Sequence, residues 1–372
     1  MNPIYLDHNA STPIAPEVAA VMEPLLREAF GNPSSGHWAG APAKAALAAA
    51  RSQVAALLGC GADEVVFTSG GSEANNLALN GLFFRRQGQP SHVIATRIEH
   101  PAVLAPCRFL ESLGVRVTLV PVDGAGRVDP DDIRRAMGRD TFLISVMHAN
   151  NEVGTIQPLA EIGKIAREHG VLFHTDAAQS VGKIATRVDE LGVDLLSVAG
   201  HKLYAPKGVG ALYIRRGVEI EPLIHGAAHE NGRRAGTESV LLAAALGKAC
   251  EIAAPMLAMP EVRNLRDLFW DRLKSAFGAG IVLNGHPSHR LPNTLNVSFV
   301  GRVGGEILAW IPQVAASTGS ACHSGAVTLS PVLAAMGVSR NVGMGAIRFS
   351  LGRATTEAEI DAVVAALTQA LS

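Results

Sequence analysis

Asp176 and Lys202 stand 26 residues apart, and each follows a β-branched, apolar run, residues 171–175 and 193–198. Gly200 breaks the second run, so Lys202 follows His201 at the mouth of what reads as a sheet. A lysine held near a sheet is costly unless it has a partner or a chemical role. A desolvated lysine amine can bond covalently to an aldehyde cofactor. A carboxylate set against a pyridine nitrogen keeps that ring protonated and able to accept electrons. Together these are the two requirements of pyridoxal phosphate. The plainer alternative is a solvated lysine on a loop. Among the seven lysines most others fall on helical patterns, which leaves Lys202 first, with Lys207 or Lys183 behind it.

Three further stretches carry side chains that such chemistry needs. Thr68-Ser-Gly-Gly-Ser72 joins a short apolar run to a helical pattern. A strand, a Gly/Ser loop and a helix start present free backbone N–H groups and the helix dipole to an anion, here a phosphate at Ser72. His100 opens a helix after another strand and is placed to lie flat on a ring. Cys322 sits in Ser317-Thr-Gly-Ser-Ala-Cys-His-Ser-Gly-Ala326, where small neighbours leave a thiol reachable and His323 favours the thiolate. Each has a bland reading as well: an ordinary strand–helix turn, or an idle surface cysteine.

These residues need a scaffold that brings distant segments together. Strand patterns at 65–67, 92–95, 115–120, 142–147, 171–175 and 193–198 alternate with helical patterns at 73–86, 101–113, 130–137 and 159–169. The alternation predicts an α/β fold with a mostly parallel sheet covered by helices and right-handed crossovers. Ligands in such sheets bind at the carboxyl ends of the strands, where Ser72, His100, Asn151, Asp176, Gln179 and Lys202 would share one edge. Residues 210–214 add a strand, and a Gly- and Arg-rich loop through Thr237 leads to a helix over 238–254. Pro255 and Pro260 mark a change of domain. A large domain over 14–255 is expected, with a smaller α+β domain built from 1–13 and 256–372. The latter holds helices at 261–277 and 306–310, strands at 294–299, 314–317 and 346–351, and a terminal helix opened by Thr356-x-x-Glu359.

Composition narrows the partners. The 372 residues are 48% hydrophobic and 17% charged, with a formal charge of −1 and no long basic block. This is a globular chain whose main partner is neither nucleic acid nor a membrane. No signal peptide or membrane span is visible, so a cytoplasmic location is expected. Cys60, Cys107 and Cys250 lie among apolar neighbours and read as buried small hydrophobes; the spacing of the four cysteines indicates neither zinc nor disulfides.

Taken together, the motifs resemble the cysteine desulfurases of the class-V, fold-type-I pyridoxal-phosphate enzymes. The matching stretches are Tyr5-Leu-Asp-His-Asn-Ala-Ser-Thr-Pro, Gly31-Asn-Pro-Ser-Ser, Phe67-Thr-Ser-Gly-Gly-Ser-Glu-Ala-Asn-Asn and Glu99-His. They continue in family order with Asn150-Asn-Glu-Val-Gly, His174-Thr-Asp-Ala-Ala-Gln-Ser, Gly200-His-Lys, Arg234-Ala-Gly-Thr, Gly319-Ser-Ala-Cys and Ile347-Arg-Phe-Ser-Leu-Gly-Arg. The resemblance implies a seven-stranded large-domain sheet and a homodimer. It implies that Lys202 bonds the cofactor and then carries protons, that Asp176 pairs with the ring nitrogen, that Gln179 meets the ring oxygen and that His100 stacks. Gly71, Ser72 and His201 would hold the phosphate, together with Thr237 reaching across from the partner subunit. Asn151 and Arg348 would bind the substrate carboxylate. Cys322 would take sulfur from L-cysteine as a persulfide, leaving L-alanine, and pass it to an acceptor protein such as an iron–sulfur scaffold.

The chain departs from the family pattern at Ala199, where a hydroxyl residue is usual for the phosphate, and at His8, where asparagine is common. The segment holding Pro312 is about one residue short. The chain also stops soon after its last helix, where relatives that serve iron–sulfur scaffolds often extend. Close alternatives are a selenocysteine lyase acting on L-selenocysteine, whose loop can share Ala-Cys-His-Ser, a class-V aminotransferase, which would not need Cys322, and a non-catalytic partner subunit.

Overall fold

The computed structural model describes residues 3–86, 88–319, 322–323 and 326–372; of 322–323 and 326–327 it describes the backbone alone. Seven strands form the central sheet: β1 (Val65–Thr68), β2 (His92–Thr96), β3 (Arg116–Val120), β4 (Thr141–Ser145), β5 (Leu172–Asp176), β6 (Leu195–Ala199) and β7 (Gly210–Ile214). Their order is β1-β7-β6-β5-β4-β2-β3. Only β7 runs against its neighbours. It can do so because it returns from β6 through the local loop 200–209, whereas parallel strands need a crossover connection.

Every residue of β1, β2, β4, β6 and β7 is buried, as expected of strands covered on both faces. One face packs Val65, Ile94, Ile144, Phe173, Leu196 and Tyr213 into a core that reaches from Ala15 to Ala253; the other packs Val66, Val93, Leu143, Leu195 and Leu212 against Leu77 and Leu110. Burial of side chains as large as Phe173 or Tyr213 contributes roughly 1.5–3 kcal/mol each. The helices that matter for the site are α1 (Gly71–Arg85) after β1 and α2 (Pro101–Ser112) after β2. The helical pattern at 159–169 forms as read, Leu159–His169, closed by Gly170 at φ 66°.

A separate apolar core gathers Ile4 and Leu6 with residues from Met259 to Leu367. Its sheet is antiparallel, with β9 (Thr294–Phe299) between β8 (Ile281–Asn284) and β10 (Ala346–Ser350). The chain start joins this core because Ile4–Tyr5 pairs in parallel with Val314–Ala315. The terminal helix is Glu357–Leu371, and the Thr356/Glu359 capping box forms with both reciprocal bonds.

The sequence reading erred at several edges. Strand β8 was not anticipated, although Ile281-Val282-Leu283 is apolar: it is a four-residue edge strand with Val282 40% exposed, closed by Gly285. The strand expected at 314–317 ends at Ala315. Helix α1 starts at Gly71, two residues earlier than its apolar pattern, because Gly70 (φ 151°) makes the turn. The Lys202 segment is a single 3-10 turn, Gly200–Lys202, rather than open loop. Cys107 and Cys250 are buried, whereas Cys60 is only partly covered.

Candidate active site

Residues from both cores meet at the carboxyl ends of the strands around a cavity of about 330 Å³. Its lining includes Gly71, Ser72, His100, Asn151, Asp176, Gln179, Ala199, His201, Lys202 and Arg348. Ten of the twelve residues singled out in the sequence therefore share one chamber. Thr237 does not: it lies in a separate surface depression with Phe67, Arg234 and Glu238. The side chain of Cys322 falls outside the described residues, although its backbone pairs Cys322 with Val327.

Asp176 ends β5 and is 7% exposed. Asn75 Nδ2 donates to its Oδ2 at 2.7 Å, and the backbone N–H of Ala178 donates to its Oδ1 at 2.9 Å. These donors fix the carboxylate and leave each oxygen a lone pair for a group in the cavity. Below it, His174 bridges Ser145 Oγ at 2.8 Å and Ser197 Oγ at 3.0 Å, tying β4, β5 and β6 together.

Lys202 is half-buried at the end of its turn. Burial lowers its pKa, Asp176 opposes that and Arg348 adds to it, so the neutral, nucleophilic amine is more accessible than on a surface lysine. His100 caps α2, its Nδ1 accepting from Ala102 N–H at 3.1 Å. Burial pushes its pKa down, Asp176 opposing and Lys202 adding. A neutral ring whose Nδ1 accepts must carry its proton on Nε2.

At the other end of the cavity Gly71 and Ser72 open α1, offering backbone N–H groups. A Cβ on Gly71 would stand 3.2 Å from the Ala199 Cβ, so the glycine lets α1 approach β6 closely. His201 Nδ1 lies 3.3 Å from Ser11 Oγ.

Arg348, on β10, reaches over from the second core. It donates from Nη1 to the Asn151 carbonyl at 2.9 Å and from Nη2 to Asp7 Oδ1 at 2.7 Å, while its Nε is buried without a partner. Asp7 is also held by the Ser317 hydroxyl at 2.8 Å. An arginine whose two ends are braced by one bond each keeps further N–H groups for an incoming carboxylate.

The sequence reading gave no role to Asn75, Asp7 or Asn9, though all three lie in quoted motifs. Asn75 follows Ser72 by three positions, one helical turn, and so shares its face. Asp7 and Asn9 carried no local signal, because their partners are hundreds of residues away. The two alternative lysines separate: Lys207 is exposed, while Lys183 is buried beside the chamber.

The fit to pyridoxal phosphate is good: a lysine, a braced carboxylate and a glycine-lined helix start surround one cavity, with Arg348 in its wall. The described residues contain no group of three or more side chains that could hold a metal ion. No single helix is long and apolar enough to cross a membrane.

The chain is similar to known proteins over nearly its whole length. The chain is 48% identical over 362 residues to the cysteine desulfurase IscS of Dictyoglomus turgidum, covering 96% of this chain and 92% of that one. It is 45% identical over 365 residues to the cysteine desulfurase IscS of Methanosarcina thermophila, covering 97% and 90%. Among solved structures it superposes on a NifS-like protein with a TM-score of 0.92 at 36% identity, covering 99% of both chains. It also superposes on SspA in complex with cysteine with a TM-score of 0.84 at 39% identity, covering 94% and 98%. The class-V aminotransferase model matches residues 4–363, and with the fold and the chamber described above the chain belongs to that family.

Proposed function

We propose that this protein is a pyridoxal-phosphate-dependent cysteine desulfurase that moves sulfur from L-cysteine to Cys322. One observation carries the reading: Lys202, Asp176, His100 and Arg348 face a single chamber, and Ser317, which precedes Cys322 in the same small-residue stretch, hydrogen-bonds the Asp7 that braces Arg348. When bound, the cofactor supplies an electron sink that stabilises negative charge at the substrate Cα.

The chain's own residues supply the rest. Lys202, with its lowered pKa, holds the cofactor and then moves protons at the substrate Cα and Cβ. Asp176, braced by Asn75, would keep a positive charge on the ring nitrogen. His100 would stack on the ring. Gly71, Ser72 and His201 would hold the phosphate, and Ala199 would leave one hydroxyl contact unsupplied. Arg348 and Asn151 orient the substrate carboxylate. The Cys322 thiol accepts the substrate sulfur, the new S–S bond replacing the Cβ–S bond, with the proton going to Cβ as alanine forms. A thiol on an acceptor protein then takes the outer sulfur.

A homodimer completes the site in this reading, because Thr237 lies outside its own chamber and is available to another. Leu26, Phe30 and Trp38, 67%, 75% and 81% exposed, offer apolar area for such a partner. The test is a spectrum. The purified protein shows a visible band that bleaches or shifts on adding cysteine, with alanine released. The band is missing in Lys202→Ala. A Lys202→Ala protein that keeps the band, or a wild type that makes no alanine, would overturn the proposal.

A further inference from the structure

Lys183 is 5% exposed, and the charged groups that act on it are Lys202 and Arg348, both cations; it acts in turn on His8. Among the described residues no carboxylate pairs with it. A lysine buried without a counter-charge is expensive, so its two contacts need explaining. Its Nζ donates to Gln179 Oε1 at 3.1 Å and to Asn9 Oδ1 at 3.1 Å. Both partners line the chamber; Lys183 itself does not.

An ammonium is donor-only, so it fixes which end of each amide faces it. With Oε1 turned to Lys183, the Gln179 Nε2 points the other way. One of its hydrogens goes to the Asn9 carbonyl at 3.0 Å. The other finds no acceptor among the described residues and belongs to the chamber side. Asn9 is held as firmly: Asn293 Nδ2 donates to its Oδ1 at 3.0 Å, and its own Nδ2 donates to Thr294 Oγ1 at 2.8 Å and to the Asn151 carbonyl at 3.3 Å.

We propose that Lys183 is a positioning residue: its Nζ locks the Gln179 amide so that an N–H, never the oxygen, faces the cofactor's ring oxygen. The inference rests on the reading of the chamber as a pyridoxal-phosphate site. A flipped amide would set two oxygens against each other. A donor in that place spreads the ring oxygen's negative charge and makes the linked cofactor harder to protonate. Burial lowers the pKa of Lys183 to about 7; the ammonium is donor-only and locks both amides, while the neutral amine keeps two N–H groups, enough for the two amide oxygens it already faces.

The test titrates the visible band of the holoenzyme with pH. In Lys183→Met the midpoint should rise by about one unit, since the locked donor is lost. In a Gln179→Leu background, adding Lys183→Met should move the midpoint by less than a third as much, because the relay is already gone. Lys183→Leu serves the same comparison if Lys183→Met does not fold. A midpoint that stays put in Lys183→Met, or one that shifts equally in both backgrounds, overturns the inference. A wild type with no visible band would instead overturn the cofactor site itself. A lysine that merely filled space would move thermal stability and leave the midpoint unchanged.

Discussion

Gly319→Ala places a methyl group where the structure has no room for one. A Cβ there would stand 1.8 Å from Glu152 Oε1 and 2.3 Å from its Cδ, against 3.4 Å or more for ordinary contact. The two must separate by about 1.6 Å. Glu152 is 6% exposed, its Oε1 has no partner, and the Ser330 hydroxyl reaches the same carboxyl, so one buried side chain touches both ends of the segment that carries Cys322. Overpacking of this kind costs about 1–3 kcal/mol, roughly a 5- to 150-fold effect if it falls on the step that Cys322 performs. Lys202, Asp176 and His100 sit on other elements, so cofactor binding and its visible band should change little. Rapid mixing with cysteine separates the two: the spectral change on substrate binding keeps its amplitude, while alanine and persulfide form about 5- to 150-fold more slowly. Adding Glu152→Ala should recover most of that loss, because it removes the colliding carboxyl. Turnover within twofold of wild type in Gly319→Ala, or no relief in the double variant, would refute the reasoning.

Other expectations are simpler. Glu99 is buried, with Thr96 Oγ1 donating at 2.6 Å and Met147 N–H reaching both oxygens at 3.0 Å. Burial raises its pKa from 4.5 to about 8, so the native state holds a proton that the unfolded chain releases. Its contribution to stability is full below about 4.5 and is lost as pH rises through about 8, by about 1.4 kcal/mol per unit. Glu99→Gln should flatten the fall in melting temperature between pH 5 and 8; an unchanged slope would contradict this. Ala199→Ser restores a hydroxyl beside Gly71 and should tighten pyridoxal phosphate binding by about tenfold in a dialysis competition, the size of one hydrogen bond to a charged group. Burial pushes the thiols of Cys60, Cys107 and Cys250 up to about 12, so iodoacetamide at pH 8 should label Cys322 alone, and Cys322→Ala should label hardly at all.

The strand–helix alternation made the large sheet legible, because strands covered on both faces read as unbroken apolar runs and their helices as amphipathic ones. Capping chemistry was legible too: Thr356 and Glu359 pair as their spacing implied. Thin elements escaped. Strand β8 spans only four residues, and the Ile4–Tyr5 pairing depends on Val314–Ala315, some 310 residues away. The site divided along the same line. Residues that end strands or open helices, such as Asp176, His100 and Ser72, announce themselves by position. Asp7 and Asn9 do not, because their work is to brace Arg348 and Gln179 across the two cores. Lys183 could be picked out as a lysine of interest, yet not as one that faces amide oxygens in place of a carboxylate.

The most direct measurement follows the sulfur. Holoenzyme mixed with one equivalent of L-cysteine and digested should show one added sulfur atom on the Cys322 peptide and one equivalent of alanine. Lys202→Ala should show neither. Sulfur found on Cys60, Cys107 or Cys250 instead, or alanine formed at the full rate in Cys322→Ala, would contradict the account.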